Sequence, residues 1–135
     1  MTIKEIKEGN LILARHVAAD TAWSGGLKFF SPEGDYIQVG TWGYDSGKDL
    51  LAHSHNPVTR EVSWTQEVLY VRKGSIRADI YSTHEEKVAE LIVSEGDFIV
   101  LLRGGHGYHI LEDETQVLEI KNGPYLGADV DRRRL

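Results

Sequence analysis

The chain contains no cysteine. That excludes disulfides, thiolate nucleophiles and thiolate metal sites, so any metal ion would have to be held by histidine, aspartate or glutamate. No apolar run is long enough to span a bilayer. Positive charge is also in short supply: 15 Lys and Arg stand against 21 Asp and Glu, a formal net charge of −6. A general affinity for nucleic acid or anionic lipid is therefore not expected. No segment shows an amphipathic helical pattern sustained over three turns. The opening MTIKEIKEGN is mixed in charge and has no apolar stretch of the signal-peptide kind, so the expected location is cytoplasmic.

What is present is a chain of 135 residues, 41% of them hydrophobic, enough for one domain with a real core. Its apolar residues fall in short runs separated by turn signals. Leu11–Val17, Leu27–Phe30, Tyr36–Trp42, Gln66–Arg72, Ser75–Ser82, Val88–Val93, Phe98–Leu102, Tyr108–Leu111 and Gln116–Ile120 read as strands. SPEGD at Ser31–Asp35, Lys73-Gly74 and SEGD at Ser94–Asp97 read as turns, with Gly34, Gly74 and Gly96 as turn glycines. Many short strands and no long helix predict an all-β sandwich or barrel, whose closure would remove exposed edges. Residues 1–10 are expected to be an N-terminal arm, or a helical turn with Ile3 and Ile6 on one face. Residues 124–135, with Arg132, Arg133 and Arg134, are expected to be a solvated tail.

Between Gly47 and Gly74 lies GKDLLAHSHNPVTREVSWTQEVLYVRKG. If Leu50–His55 is extended, His53 and His55 point to one side, because alternate residues of a strand share a face. Glu67, Leu69 and Val71 likewise share a face, which turns the carboxylate inward among apolar neighbours. A lone buried carboxylate is costly unless it is paired or bound to a metal. Two imidazoles and a carboxylate suit a divalent ion that accepts nitrogen and oxygen donors, such as Mn, Fe, Ni, Co or Zn.

This stretch resembles the first motif of the cupin superfamily: Gly47, then His53-x-His55, then Glu67, then six residues to Gly74. The segment NPVTREVSWTQ between His55 and Glu67 is longer than the family's usual gap, which leaves Glu61 as an alternative to Glu67. Gly96-Asp97 followed by RGGHGYH resembles the second motif, with Leu102 near the place of the usual proline. His106 falls just short of the usual histidine spacing and His109 just beyond it. The GGHG segment and KNGPY at Lys121–Tyr125 are similar to those of a group of small single-domain metal-binding cupins. The resemblance implies a single cupin jelly-roll β-barrel over residues 1–135. It also implies a divalent transition metal held by three histidines and one glutamate: His53, His55, Glu67 and His106, with His109 as the alternative to His106. In a regular strand His106 and His109 face opposite sides, and Tyr108 lines the pocket if His106 is the inward one.

By the same resemblance the chain is expected to be an enzyme that uses its metal on a small oxygen-rich substrate, in the manner of a dioxygenase, decarboxylase or isomerase. The alternative is a non-catalytic module that binds a sugar or metabolite. A metal-free histidine base, as in the sugar-nucleotide epimerase branch, fits the full ligand set less well. No catalytic residue is assigned, although Tyr44 and Arg103 are candidates for contact with an anionic substrate. His16 and His84 are expected to be ordinary, and Trp23, Trp42 and Trp64 to pack at the core or rim. Small cupins often dimerise through an added edge strand, so a homodimer is expected, with Leu11–Val17 as the candidate for exchange.

Overall fold

Strand β5 (Glu67–Lys73) runs into β6 (Ser75–Tyr81) through Gly74 alone, yet the two strands do not pair with each other. The chain instead arches from one sheet to a second. Gly74 makes the arch with φ of 80°, a backbone conformation that costs glycine little and other residues a good deal.

The computed structural model describes residues 3–135. Its first sheet holds five strands in the order β1 (Lys4–Glu8), β2 (Leu11–Val17), β8 (Phe98–Leu101), β5 and β10 (Gln116–Lys121). The second holds β7 (Lys87–Ser94), β6 and β9 (Gly105–Ile110). A separate two-stranded ribbon pairs β3 (Gly26–Phe29) with β4 (Gly40–Gly43). All these pairings are antiparallel. Among the described residues the one helix is α1 (Ala128–Asp131). Among the described residues no helix is long and apolar enough to cross a membrane.

The chain is all-β, as its turn-punctuated apolar runs predict. The core lies between the two large sheets. Leu13, Leu69, Val71, Ile99 and Leu101 come from the first sheet and meet Ile76, Ala78, Ile80, Leu91 and Val93 of the second. Alternation places them: Leu69 and Val71 point in while Tyr70 points out, and Leu91 and Val93 point in while Ile92 points out. Burying one such aliphatic side chain stabilises the fold by about 1.5–3 kcal/mol. The segment between the ribbon strands folds over the outer face of β2 and β8. Phe30 stacks on Phe98 with centroids 6.0 Å apart, and Arg15, buried there, pairs with Asp35 at 2.9 Å and with Glu5 at 3.2 Å.

Four expectations change. The N-terminal residues are not an arm: β1 pairs with β2 from Lys4↔His16 to Glu8↔Leu11, and Gly9 with φ of 57° makes the hairpin turn; Met1 and Thr2 lie outside the described residues. Strand β2 has both edges occupied, by β1 and β8, so Leu11–Val17 is not free for exchange. The expected strand Tyr36–Trp42 shrinks to β4, because Tyr36 and Ile37 give their amides to the side chain of Gln66 instead of to a neighbouring strand. The sheets also do not close into a barrel: β9 is paired only on its β6 side, β10 only on its β5 side, and residues 44–66 contain no strand.

The tail departs only partly from a solvated one. It is exposed, but Asp131 accepts a hydrogen bond from Thr65, Arg133 pairs with Glu85 and the Leu135 side chain lies over Gly105.

Candidate functional site

Glu67 opens β5, and its backbone pairs with Leu101 on one side and Lys121 on the other. It therefore sits inside a three-strand ladder, only 5% exposed. His106 and Tyr108 alternate on β9 opposite Ile80 and Ala78, both core residues, so these two side chains share the inward face. His109 pairs with Arg77 and faces away. The two sheets thus bring together groups that are far apart in the chain: His106 Nε2 lies 2.8 Å from Glu67 Oε1. The Tyr108 hydroxyl donates to the same oxygen at 3.0 Å.

Burial alone would push the Glu67 carboxyl up. The hydrogen bond and charge of His106, the Tyr108 hydroxyl and the charge of Lys121 outweigh it, and the carboxyl is held below its ordinary value. Tyr108 moves the other way. Burial of its hydroxyl end, then the charge of Glu67 and the hydrogen bond to it, push the phenol well above its ordinary value. At neutral pH the centre therefore holds an ionised carboxylate and a protonated phenol beside an imidazole. That trio can accept a proton, donate one, or hold a small polar molecule by hydrogen bonds. The His106 side chain is about one-third open to solvent at 34%, so the centre is reachable from outside.

His53 and His55 are adjacent to each other, with ring centroids 5.1 Å apart, but both are exposed and neither lies on a strand. The expected extended run at Leu50–His55 is replaced by irregular chain. Its three apolar residues, Leu50, Leu51 and Ala52, are too few and too unevenly placed to bury a strand face. Asp45, Gly47 and Lys48 break it on one side and Asn56-Pro57 on the other. His53 Nδ1 lies 3.2 Å from the Leu51 carbonyl, a local contact in place of a long-range one. Glu61, the alternative carboxylate, is exposed on the same segment.

The four residues of the expected ligand set thus fall into two pairs, His53 with His55 and Glu67 with His106. Among the described residues no group of three or more His, Asp or Glu side chains is placed to hold a metal ion. The donor types remain those of an N/O-preferring divalent ion, and one half of the set, His106 with the buried Glu67, meets at a single carboxylate.

Other singled-out residues have structural partners. His16 Nε2 lies 3.0 Å from Asp97 Oδ2. Arg103 stacks its guanidinium 4.5 Å from the centroid of Trp64. The indole of Trp64 donates to the Leu102 carbonyl at 2.8 Å and its ring packs 4.7 Å from that of Tyr36. Tyr44 carries Lys48 over its ring at 5.7 Å. Trp23 and Trp42 do not pack in a core; both are more than half exposed. Sequence reasoning gave Tyr108 only a lining position, and the signal for its partnership was its even spacing from His106.

Comparison with family models, with curated proteins and with solved structures returned no match.

Proposed function

We propose that the chain is a metal-binding cupin that acts on a small oxygen-rich molecule at the Glu67–His106 centre. One observation carries this reading: an almost fully buried glutamate from one sheet and an inward histidine from the other meet at 2.8 Å at the solvent-reachable end of the core. Glu67 and His106 supply the inner donors. His53 and His55 supply the outer pair from the 44–66 segment, which leads directly into β5, and the unpaired edge of β9 is the seat proposed for that segment. A jelly-roll arrangement of the two sheets is part of the same proposal. A bound divalent ion would supply Lewis acidity toward a carbonyl or enolate oxygen, or activation of dioxygen if it is iron. The protein's own part is electrostatic and positional. Glu67 stays ionised, and Tyr108 stays protonated with its one hydroxyl proton held on Glu67 Oε1.

Elemental analysis of the purified full-length chain, after equilibration with Mn, Fe, Ni, Co and Zn in turn, tests the reading. One ion per chain is expected, lost when His53 and His55 are both changed to Ala and lost again in Glu67→Gln. Failure to retain any of the five, or retention undiminished in both variants, overturns it. Metal-dependent turnover in a screen of keto acids and sugars then separates an enzyme from a binding module.

A second reading rests on the same trio. Glu67, His106 and Tyr108 are already hydrogen-bonded to one another, so a metal-free acid–base site needs nothing from residues 44–66. Activity that survives exhaustive chelation and the loss of both His53 and His55, but not of His106, selects it over the first.

A further inference from the structure

Residues 122–135 cross from one sheet to the other at the end of the molecule where Glu67 meets His106. They leave the first sheet at Lys121, the cross-strand partner of Glu67. Asn122 then grips the chain just before β5. Its side-chain oxygen accepts from the Gln66 amide at 2.7 Å, and its own amide donates to the Gln66 carbonyl at 3.3 Å. Further along, Asp131 accepts from the hydroxyl of Thr65, two residues before Glu67. The far end lands on the second sheet. Arg133 pairs with Glu85 in the turn between β6 and β7. The Leu135 side chain lies against Gly105, the residue before His106 and the cross-strand partner of Tyr81. The anchors therefore flank the Glu67–His106 contact from both sheets.

Beyond Asn122 the crossing is weakly held. α1 contributes no buried residue, and Leu126 and Val130 are each 71% exposed. The Arg133 and Glu85 side chains are 80% and 44% exposed. An exposed ion pair adds little, and a segment with few buried contacts can open while the sheets stay folded. We propose that residues 123–135 are a releasable strap over the entrance to the Glu67–His106 centre. It is hinged at Asn122 and latched by Arg133 on Glu85 and by Leu135 on Gly105. Closed, it restricts access to His106; released at the far end, it swings on Asn122 and opens the entrance to a ligand. The use of that opening rests on the centre being the working site; the opening itself does not.

Diethylpyrocarbonate acylates accessible neutral imidazoles, and peptide mass mapping reads the rate at each histidine. The chelated full chain is used, so that no ion shields His106. His109, on the same strand but facing away from the core, is the internal reference. His16, held on Asp97, reports general loosening. Glu85→Arg, Arg133→Glu and Leu135→Ala are each expected to raise the His106 rate relative to His109 by about two- to fivefold, the range over which loss of an exposed ion pair shifts an opening equilibrium. His16 is expected to stay unchanged. The charge-swapped double variant, Glu85→Arg with Arg133→Glu, is expected to return to the wild-type ratio. Arg133→Glu and Leu135→Ala, at exposed tail positions, keep the test decisive should Glu85→Arg fail to fold. An unchanged His106 ratio in a folded single variant, a rise matched at His16, or a swapped pair as fast as its parents would each overturn the strap. The result is independent of the elemental analysis. A chain that retains no metal but gates His106 keeps the strap and loses the metal reading, and a chain that binds metal with no change at His106 does the reverse.

Discussion

The Glu67 carboxylate and the His106 imidazole reach each other from different sheets, 2.8 Å apart, with 38 residues of sequence between them. His106 is the largest influence holding that carboxyl down against its burial. Changing His106 to Ala removes that influence and leaves only Tyr108 and Lys121 against burial, so the Glu67 pKa is expected to rise. In the wild type the folded pKa lies below the unfolded one. Glu67 therefore contributes stability above about pH 4.3, and that contribution is lost as pH falls through the folded value. In His106→Ala that contribution shrinks as the folded value moves up toward the unfolded one. Carboxyl titration by NMR and urea unfolding at acid and neutral pH read both effects.

Asp97 ties the β7–β8 turn to the end of β2. Its carboxylate accepts hydrogen bonds from the Ala19 amide at 2.7 Å and the Ser94 amide at 2.9 Å, and it faces His16 at 3.0 Å. Burial pushes its pKa up, but the Ser94 amide, His16 and the Ala19 amide together hold it below its ordinary value. Its contribution is thus present above about pH 3.9 and disappears as pH falls through the lower folded value. Asp97→Ala leaves two amides without their acceptor and is expected to cost about 2–4 kcal/mol at pH 7. Asp97→Asn is expected to cost less and to flatten the acid limb of a thermal-melt pH series.

The strand content was legible because each core strand carries its own period. Leu69 and Val71 alternate with Val68 and Tyr70, and Ile76, Ala78 and Ile80 mark the facing side. That same period says only that one of His106 and His109 can face inward; the choice of His106 rests on the GGHG pattern, and the structure places it on the inward face. The 44–66 segment was not legible, since H-x-H states only that two imidazoles would share a face if the chain were extended. Nothing within those residues supplies a partner strand. The ribbon misled in a different way: its apolar alternation is genuine, but the burial that normally accompanies it is absent from the single chain. Where the first two strands go was hidden too, because Lys4–Glu8 is polar on its open side and is held chiefly by backbone pairing with β2.

Ile99 sits at the middle of the first sheet, opposite His16 on β2 and Leu69 on β5, and is fully buried. Changing it to Ala opens a cavity between the sheets that the two flanking strands, fixed by their ladders, cannot collapse into. A loss of about 3 kcal/mol is expected. Chemical denaturation at constant slope checks the value, and a loss under 1 kcal/mol would mean that the sheets do not pack face to face around this residue.

Gly104 determines where His106 can be. It follows β8 and turns the chain into β9 with φ of 72°, and a Cβ built there would lie 2.2 Å from the Tyr81 carbonyl oxygen. That oxygen belongs to the backbone of β6, which is paired on both sides, so it cannot swing away as the tip of a side chain would. Gly104→Ala therefore has two costs, the left-handed backbone and a clash that only strand movement relieves, together about 2–4 kcal/mol. The movement has to occur at the start of β9, next to the Gly105↔Tyr81 and His106↔Ile80 pairs, so the His106–Glu67 contact is expected to lengthen and the Glu67 carboxyl to titrate at higher pH. Gly107→Ala is the matched control. Its Cβ would meet nothing within 4 Å and its φ is unexceptional, so it is expected to leave both stability and the Glu67 titration nearly unchanged. Equal effects from the two substitutions would show that the bend, and with it the placement of His106, does not depend on the close approach of Gly104 to β6.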